Sequence, residues 1–166
     1  MHLLLIRHGI AEDRETFAGK DDTLRPLTKQ GRWKMERVAK GLSHVVRSID
    51  LLATSPLLRA SQTAAVLAAA YHDMAVTTAP PFAPDTPLEN ALEWIYRHRA
   101  RPTVAVVGHE PHLGELATWL LAGERESRLP FRKGGACLLE FGGPPKAATA
   151  QLVWMLTPAL LRRLGD

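Results

Sequence analysis

The chain has 166 residues, 46% of them apolar and 23% charged, the balance of one folded globular domain rather than a disordered chain. Its 21 Lys+Arg against 17 Asp+Glu leave a net charge of +4, which favours acidic partners without naming one. The single cysteine, Cys137, excludes an intramolecular disulfide framework and any cysteine-built zinc site. No segment approaches the ~20 apolar residues that cross a bilayer. The opening Met1 to Arg7 lacks the basic leader and long apolar run of an export signal. The expectation is a cytoplasmic protein with no membrane partner.

Short apolar runs alternate with helical patterns along the chain, the signature of an α/β domain. Leu3-Leu4-Leu5-Ile6 has no polar alternation and reads as a strand covered on both faces. Thr28 then opens a helix in which Met35, Val38, Leu42 and Val45 recur at three- and four-residue steps. Asp50 to Thr54 reads as a second strand, and Ser55-Pro56 turns into an alanine-rich helix reaching Tyr71. A short strand is expected near Ala75-Val76-Thr77. Thr86, Pro87 and Glu89 match a capping box with proline at the first helical position, opening a helix with Leu88, Leu92 and Ile95 inside. Thr103 to Val107 is the plainest core strand. Pro111 starts the next helix, with Leu113, Leu116, Ala117 and Leu120 on one face and Gly123 as its stop. Two last strands, Ala136 to Phe141 and Ala150 to Leu156, flank Gly142-Gly143-Pro144-Pro145 and read as an antiparallel pair. The pattern gives a single three-layer domain over residues 1–166, an open, mostly parallel sheet of about six strands flanked by helices.

An open parallel sheet binds its ligand beyond the carboxyl ends of its strands. The first strand ends in Arg7-His8-Gly9. The second ends in Thr54-Ser55-Pro56 with Arg59 in the turn beyond, and the Val104 to Val107 strand ends in Gly108-His109-Glu110. Arginine forks suit phosphate oxygens, since they offer paired donors and a permanent charge. A neutral histidine with one free ring nitrogen suits nucleophilic attack on phosphorus. A neighbouring arginine would keep His8 neutral. Gly9 permits a close turn whose carbonyl accepts the other ring proton. The basic stretches Arg97-His98-Arg99-Ala100-Arg101 and Arg162-Arg163 are short and lack interleaved aromatics, so no nucleic-acid partner is expected.

These motifs resemble the histidine phosphatase superfamily, and within it the small bacterial phosphohistidine phosphatases of the SixA type. Arg7-His8-Gly9-Ile10-Ala11 is similar to their first motif, and Arg25-Pro26-Leu27-Thr28 with Gly31 to their second. Thr54-Ser55-Pro56-Leu57-Leu58-Arg59-Ala60-Ser61-Gln62-Thr63-Ala64 is similar to the third, Val107-Gly108-His109-Glu110-Pro111 to the fourth, and Trp154-Met155-Leu156-Thr157-Pro158 to the tail. The resemblance implies a phosphoglycerate-mutase-like fold and a metal-independent phosphatase without cofactor. It implies His8 as the nucleophile, forming a phosphohistidine intermediate. Arg7, Arg25 and Arg59 would hold the phosphoryl oxygens, and a protonated His109 would stabilise the transition state. Arg25 enters through the resemblance alone. The implied partner is a phosphorylated histidine-containing protein, such as a phosphotransfer carrier.

A small-molecule phosphomonoesterase and a catalytically silent phosphoryl- or nucleic-acid-binding domain are the competing readings. Phosphomonoesterases of this superfamily bring a carboxylic acid to the leaving group from the loop after the third strand. Asp85 and Glu89 lie there; both are read first as structural beside the cap, with Asp85 kept open beside Glu110 as a proton donor. Glu110 is a candidate general acid, with a favourable place at a helix N-terminus as its other reading. His109 and His112 are not read as metal ligands, because three arginines would repel a cation and no carboxylate set accompanies them. His112 is read as a first-turn helix residue, and Cys137 as a packed thiol.

Overall fold

The computed structural model describes residues 1–19, 21–127 and 129–166. Strands β1 (His2–Arg7), β2 (Leu51–Thr54), β3 (Val76–Thr78), β4 (Thr103–Gly108), β5 (Ala136–Phe141) and β6 (Ala150–Leu156) form one sheet in the order β3-β2-β4-β1-β5-β6. Pairs β2–β3, β2–β4 and β1–β4 are parallel, whereas β1–β5 and β5–β6 are antiparallel. The mixed sheet of a single α/β domain, with its antiparallel last pair, is the architecture expected from the sequence. Among the described residues no helix is long and apolar enough to cross a membrane.

The layers follow from strand periodicity. Successive side chains leave a strand on opposite faces. Leu3 and Leu5 of β1, with Val104 and Val106 of β4, pack on one side against α3 (Leu88–Arg97) and α4 (His112–Ala122). Leu4, Ile6, Ala105 and Val107 pack on the other, against α1 (Lys29–Val45), α2 (Leu58–Ala70) and α5 (Pro158–Leu164). All eight side chains are fully buried, which is why neither strand alternates in polarity.

Thr28 caps α1 by accepting the Gly31 N–H at 2.8 Å, and Gly123 ends α4 in the left-handed conformation at φ 79°. The glycine at position 31 is a packing requirement. A Cβ there would stand 2.0 Å from the Ile10 carbonyl oxygen, so only glycine lets α1 lie against the loop leaving β1.

Three local expectations change. The capping box at Thr86 does not form: α3 begins at Leu88 with Pro87 as its cap residue and no side-chain cap. The Thr86 hydroxyl instead lies 2.9 Å and 2.7 Å from the Pro81 and Ala83 carbonyl oxygens, so the preceding loop draws it away from the helix. Arg59 is not in a turn but in the first turn of α2. Val45, placed on the buried face of α1, is 40% exposed, and Val46 just beyond the helix is buried instead.

Candidate active site

The carboxyl ends of β1, β2 and β4 are joined by backbone hydrogen bonds, His8 N–H to Gly108 O at 3.1 Å and Ser55 N–H to Val107 O at 2.9 Å. This brings His8 and His109 to a ring-centroid separation of 5.0 Å. They share a cavity of about 780 Å³ with Arg7, Arg25, Arg59, Glu110 and Lys133. Every candidate site residue named from the sequence therefore lines one cavity.

His8 is buried, and its Nδ1 lies 2.7 Å from the Gly9 carbonyl oxygen. Donation of the Nδ1 proton to that oxygen leaves Nε2 as the free base. Burial lowers the His8 pKa to about 3, with Arg59, Arg7 and Lys133 adding to the effect and the Gly9 contact opposing it. Depth is thus the chief cause, and the arginines invoked from the sequence come second. His109 lies with Nε2 2.8 Å from Ser55 Oγ. Burial, then His8 and Arg59, lower its pKa to about 2. Among the protein's own charges His109 is therefore held toward its neutral form, whereas the protonated form expected from the resemblance belongs to a pocket holding a phosphoryl group. A phosphoryl dianion beside it would reverse the local field and favour the imidazolium.

Asp22, to which sequence reasoning assigned no role, organises the arginines. Its Oδ1 accepts from Arg25 Nε at 2.9 Å, its Oδ2 from Arg59 Nη2 at 3.1 Å, and its backbone carbonyl from Arg59 Nη1 at 2.8 Å. Arg25 Nη1 also donates to the Glu12 carbonyl at 2.6 Å. Burial pushes the Asp22 carboxyl up, but these arginines with Arg14 outweigh it, so it sits below the usual carboxylate value. Burial lowers the Arg7 and Arg59 guanidinium pKa values, yet a guanidinium keeps its charge at any working pH.

On α2, Arg59, Gln62 and Thr63 stand at i, i+3 and i+4 and so share one face. Gln62 Oε1 accepts the Leu27 N–H at 2.8 Å, and Thr63 Oγ1 accepts the Gly9 N–H at 3.0 Å. That face holds the Arg25 loop and the His8 turn together. The only sequence signals for these contacts were Gln62 and Thr63 inside the third motif and an acid three residues before Arg25.

Among the described residues the cavity wall holds unpartnered polar nitrogens. Arg7 Nε, Arg59 Nε and His109 Nδ1 are buried without a hydrogen-bond partner. Buried polar nitrogens left unpaired cost free energy, and an oxyanion among them would restore it. Arg59 turns both Nη groups toward Asp22, so a bidentate grip on an oxyanion would have to combine Nε with the remaining Nη hydrogens.

Two carboxyls reach the same space. Glu110 Oε1 accepts the Gly114 N–H at 3.0 Å, and burial raises its pKa against the pull of Arg7. Asp85, whose structural and donor readings were both open, lines the cavity at φ 63°. Glu89 does not: it is exposed and paired with Arg125. His112 opens α4, buried, with Nε2 3.4 Å from Thr86 Oγ1. Burial pushes the Cys137 thiol up to about 12, the state of an inert packed side chain. Among the described residues no three His, Cys, Asp or Glu side chains group so as to hold a metal ion.

The two neutral histidines make stability depend on pH. Each has a folded pKa far below the ordinary 6.5, so between those limits the unfolded chain binds more protons than the native one. Stability is then full above about pH 6.5 and falls as the medium acidifies. Urea unfolding between pH 7 and pH 5 should show this loss. The double substitution His8→Asn/His109→Asn should flatten the slope by up to about 2.7 kcal/mol per pH unit. An unchanged slope would contradict the neutral assignment.

A sequence model of the histidine phosphatase superfamily (branch 1) matches residues 3–83. An uncharacterized protein of Picosynechococcus sp. is 37% identical over 160 residues, which cover 95% of this chain and 96% of the relative. Among solved structures, the protein histidine phosphatase SixA complexed with tungstate superposes with a TM-score of 0.83 at 22% identity, covering 97% of this chain and 99% of that one. The alpha-ribazole phosphatase from Shigella flexneri superposes with a TM-score of 0.76 at 18% identity, covering 95% and 97%. At these identities the structural likeness is one of fold.

Proposed function

The chain belongs to the histidine phosphatase superfamily, and we propose that within it the protein is a phosphohistidine phosphatase, removing phosphoryl groups from histidines of a cytoplasmic phosphotransfer protein. One observation carries the reading: a neutral, deeply buried His8 with a free Nε2 faces His109 amid unpartnered arginine nitrogens. A site that only bound anions would need the arginines and not the paired histidines.

In this scheme the Nε2 lone pair of His8 attacks phosphorus as the P–N bond to the substrate imidazole breaks. The bonding electrons leave on that imidazole, which departs neutral because it carries a proton on its ring. Arg7, Arg59 and Arg25 balance the charge on the equatorial oxygens, and His109, protonated beside the dianion, completes the shell. Water then attacks phospho-His8, releasing inorganic phosphate and restoring the free ring. A protein phosphorylated on histidine should release phosphate faster than any of a panel of phosphate esters. A protein active only on esters would overturn the reading. The phosphomonoesterase alternative draws support from Glu110 and Asp85, which line the same cavity.

Because side chains supply the positive charge, activity should survive dialysis against a chelator, and vanadate should inhibit as a trigonal-bipyramidal analogue. Loss on chelation, restored by a divalent ion, would contradict this arrangement. Asp22→Asn keeps the shape but removes the charge that aligns Arg25 and Arg59. It should lower kcat/KM on an aryl phosphate by about tenfold to a hundredfold and weaken vanadate inhibition in step. Wild-type values for both would show that Asp22 does not position the arginines.

A further inference from the structure

A second cavity of about 410 Å³ lies beside the first, against α1 and the start of α5. Arg7, Ile10 and Lys133 line both, so the two adjoin along that wall. Its floor is apolar, with Met35 and Val38 buried and Pro158 half-buried. Its rim is basic: Lys34 on α1, Arg162 on α5, and Arg132 with Lys133 before β5. Among the described residues no carboxylate lines it.

Among the described residues none of these four cations takes part in an ion pair, whereas Arg37, Arg97 and Arg125 elsewhere on the surface each do. Like charges gathered around low-dielectric surface repel one another, and the field they focus attracts an anionic ligand. The arrangement differs from that of a phosphate pocket. The cations surround an apolar floor instead of converging, and Lys34, Arg132, Lys133 and Arg162 include no buried unpartnered nitrogen of the kind found on Arg7 and Arg59. The chemistry matched is a polypeptide segment with carboxylates around one or two apolar side chains.

We propose that this groove docks the polypeptide on which the phosphohistidine is carried: an acidic, partly apolar segment lies across it while the phosphoryl group enters the neighbouring cavity. The inference rests on the phosphohistidine reading and adds to it the sequence chemistry of the substrate. Apolar side chains of the segment cover Met35, Val38 and Pro158, and its carboxylates meet the four cations.

The test uses two synthetic peptides phosphorylated on a single histidine with phosphoramidate, one flanked by Glu and Leu, the other by Ser and Lys. The wild-type protein should cleave the acidic peptide with at least tenfold higher kcat/KM, through KM, and the preference should shrink as salt is added. The variant Lys34→Glu/Arg162→Glu should lose the preference and keep its rate on p-nitrophenyl phosphate within twofold, the retained rate also reporting an intact fold. Lys34→Gln/Arg162→Gln, a milder change, should give an intermediate preference. Equal rates on both peptides in the wild type, or a preference that survives charge reversal, would overturn the docking proposal while leaving the phosphohistidine reading in place. Hydrolysis of p-nitrophenyl phosphate with neither peptide attacked would overturn the phosphohistidine reading itself.

Discussion

His8→Ala should abolish both turnover and covalent labelling, lowering kcat by roughly four to six powers of ten, the scale on which removal of a covalent nucleophile acts. Rapid quenching of the wild-type protein with labelled substrate should trap a phosphoryl group that is stable in alkali and lost in acid. The size of the effect follows from the site's construction. His109 lines the same cavity, but its Nε2 lies against Ser55 Oγ at 2.8 Å rather than free as in His8. The replacement should also flatten the loss of stability toward acid pH, since it removes a buried ring held in its neutral form. Near-normal turnover in His8→Ala would sink the covalent mechanism.

Leaving-group chemistry sets the second large effect. Cleaving an alkyl ester expels a strongly basic alkoxide, which needs a well-placed proton donor. Cleaving phosphohistidine expels an imidazole, and transfer to His8 exchanges one imidazole for another, close to balanced in energy. Each unit of leaving-group basicity left uncompensated costs up to about 1.4 kcal/mol, so a shortfall of three units is roughly three powers of ten. At matched concentration, a phosphohistidine protein should therefore be cleaved at least about a thousandfold faster than an alkyl phosphate, with aryl phosphates between. Glu110 can narrow that gap, since burial favours its protonated form and it lines the cavity. If it donates, Glu110→Gln should cut residual alkyl-ester turnover and spare phosphohistidine. Comparable rates on the two substrate classes in the wild type would favour the phosphomonoesterase reading.

The strand-end residues were legible because the strands that carry them are. Leu3 to Ile6 and Val104 to Val107 are uninterrupted apolar runs, and the rule that ligands gather beyond parallel strands led directly to Arg7, His8 and His109. Arg59 was found by the same rule, although its place in a helix was not. Arg25 has no such signal. It sits in an irregular segment, and tertiary contacts bring it in: Leu27 with Gln62 of α2, and Asp22 with Arg59 of α2. Asp22 and Ser55 went unassigned for the same reason: their partners, Arg59 and His109, are distant in sequence, and no periodicity connects them. Thr86 shows a local rule losing to tertiary context, since two carbonyls of the preceding loop claimed its hydroxyl. The protonation states depend on depth, which composition does not reveal. Arginine neighbours could be read from the motifs, but the burial that dominates His8 and His109 could not.

The sheet order has a consequence for how activity appears during folding. Strand β4 is inserted between β1 and β2, so the chain must carry Thr103 to Gly108 back across more than half its length before the first two strands can share a sheet. Until then His8 has neither His109 opposite it nor the low-dielectric walls that keep its ring uncharged. Contacts of such long sequence separation form late and together. The buried His8–His109 pair, the arginine-lined cavity and the core should therefore be acquired in a single cooperative event, which would make any activity of the site a reporter of the whole fold. A chain still emerging from the ribosome, or one cleaved in the α3–β4 loop and separated, would hold His8 as an ordinary surface imidazole, without the buried setting that the proposed chemistry requires.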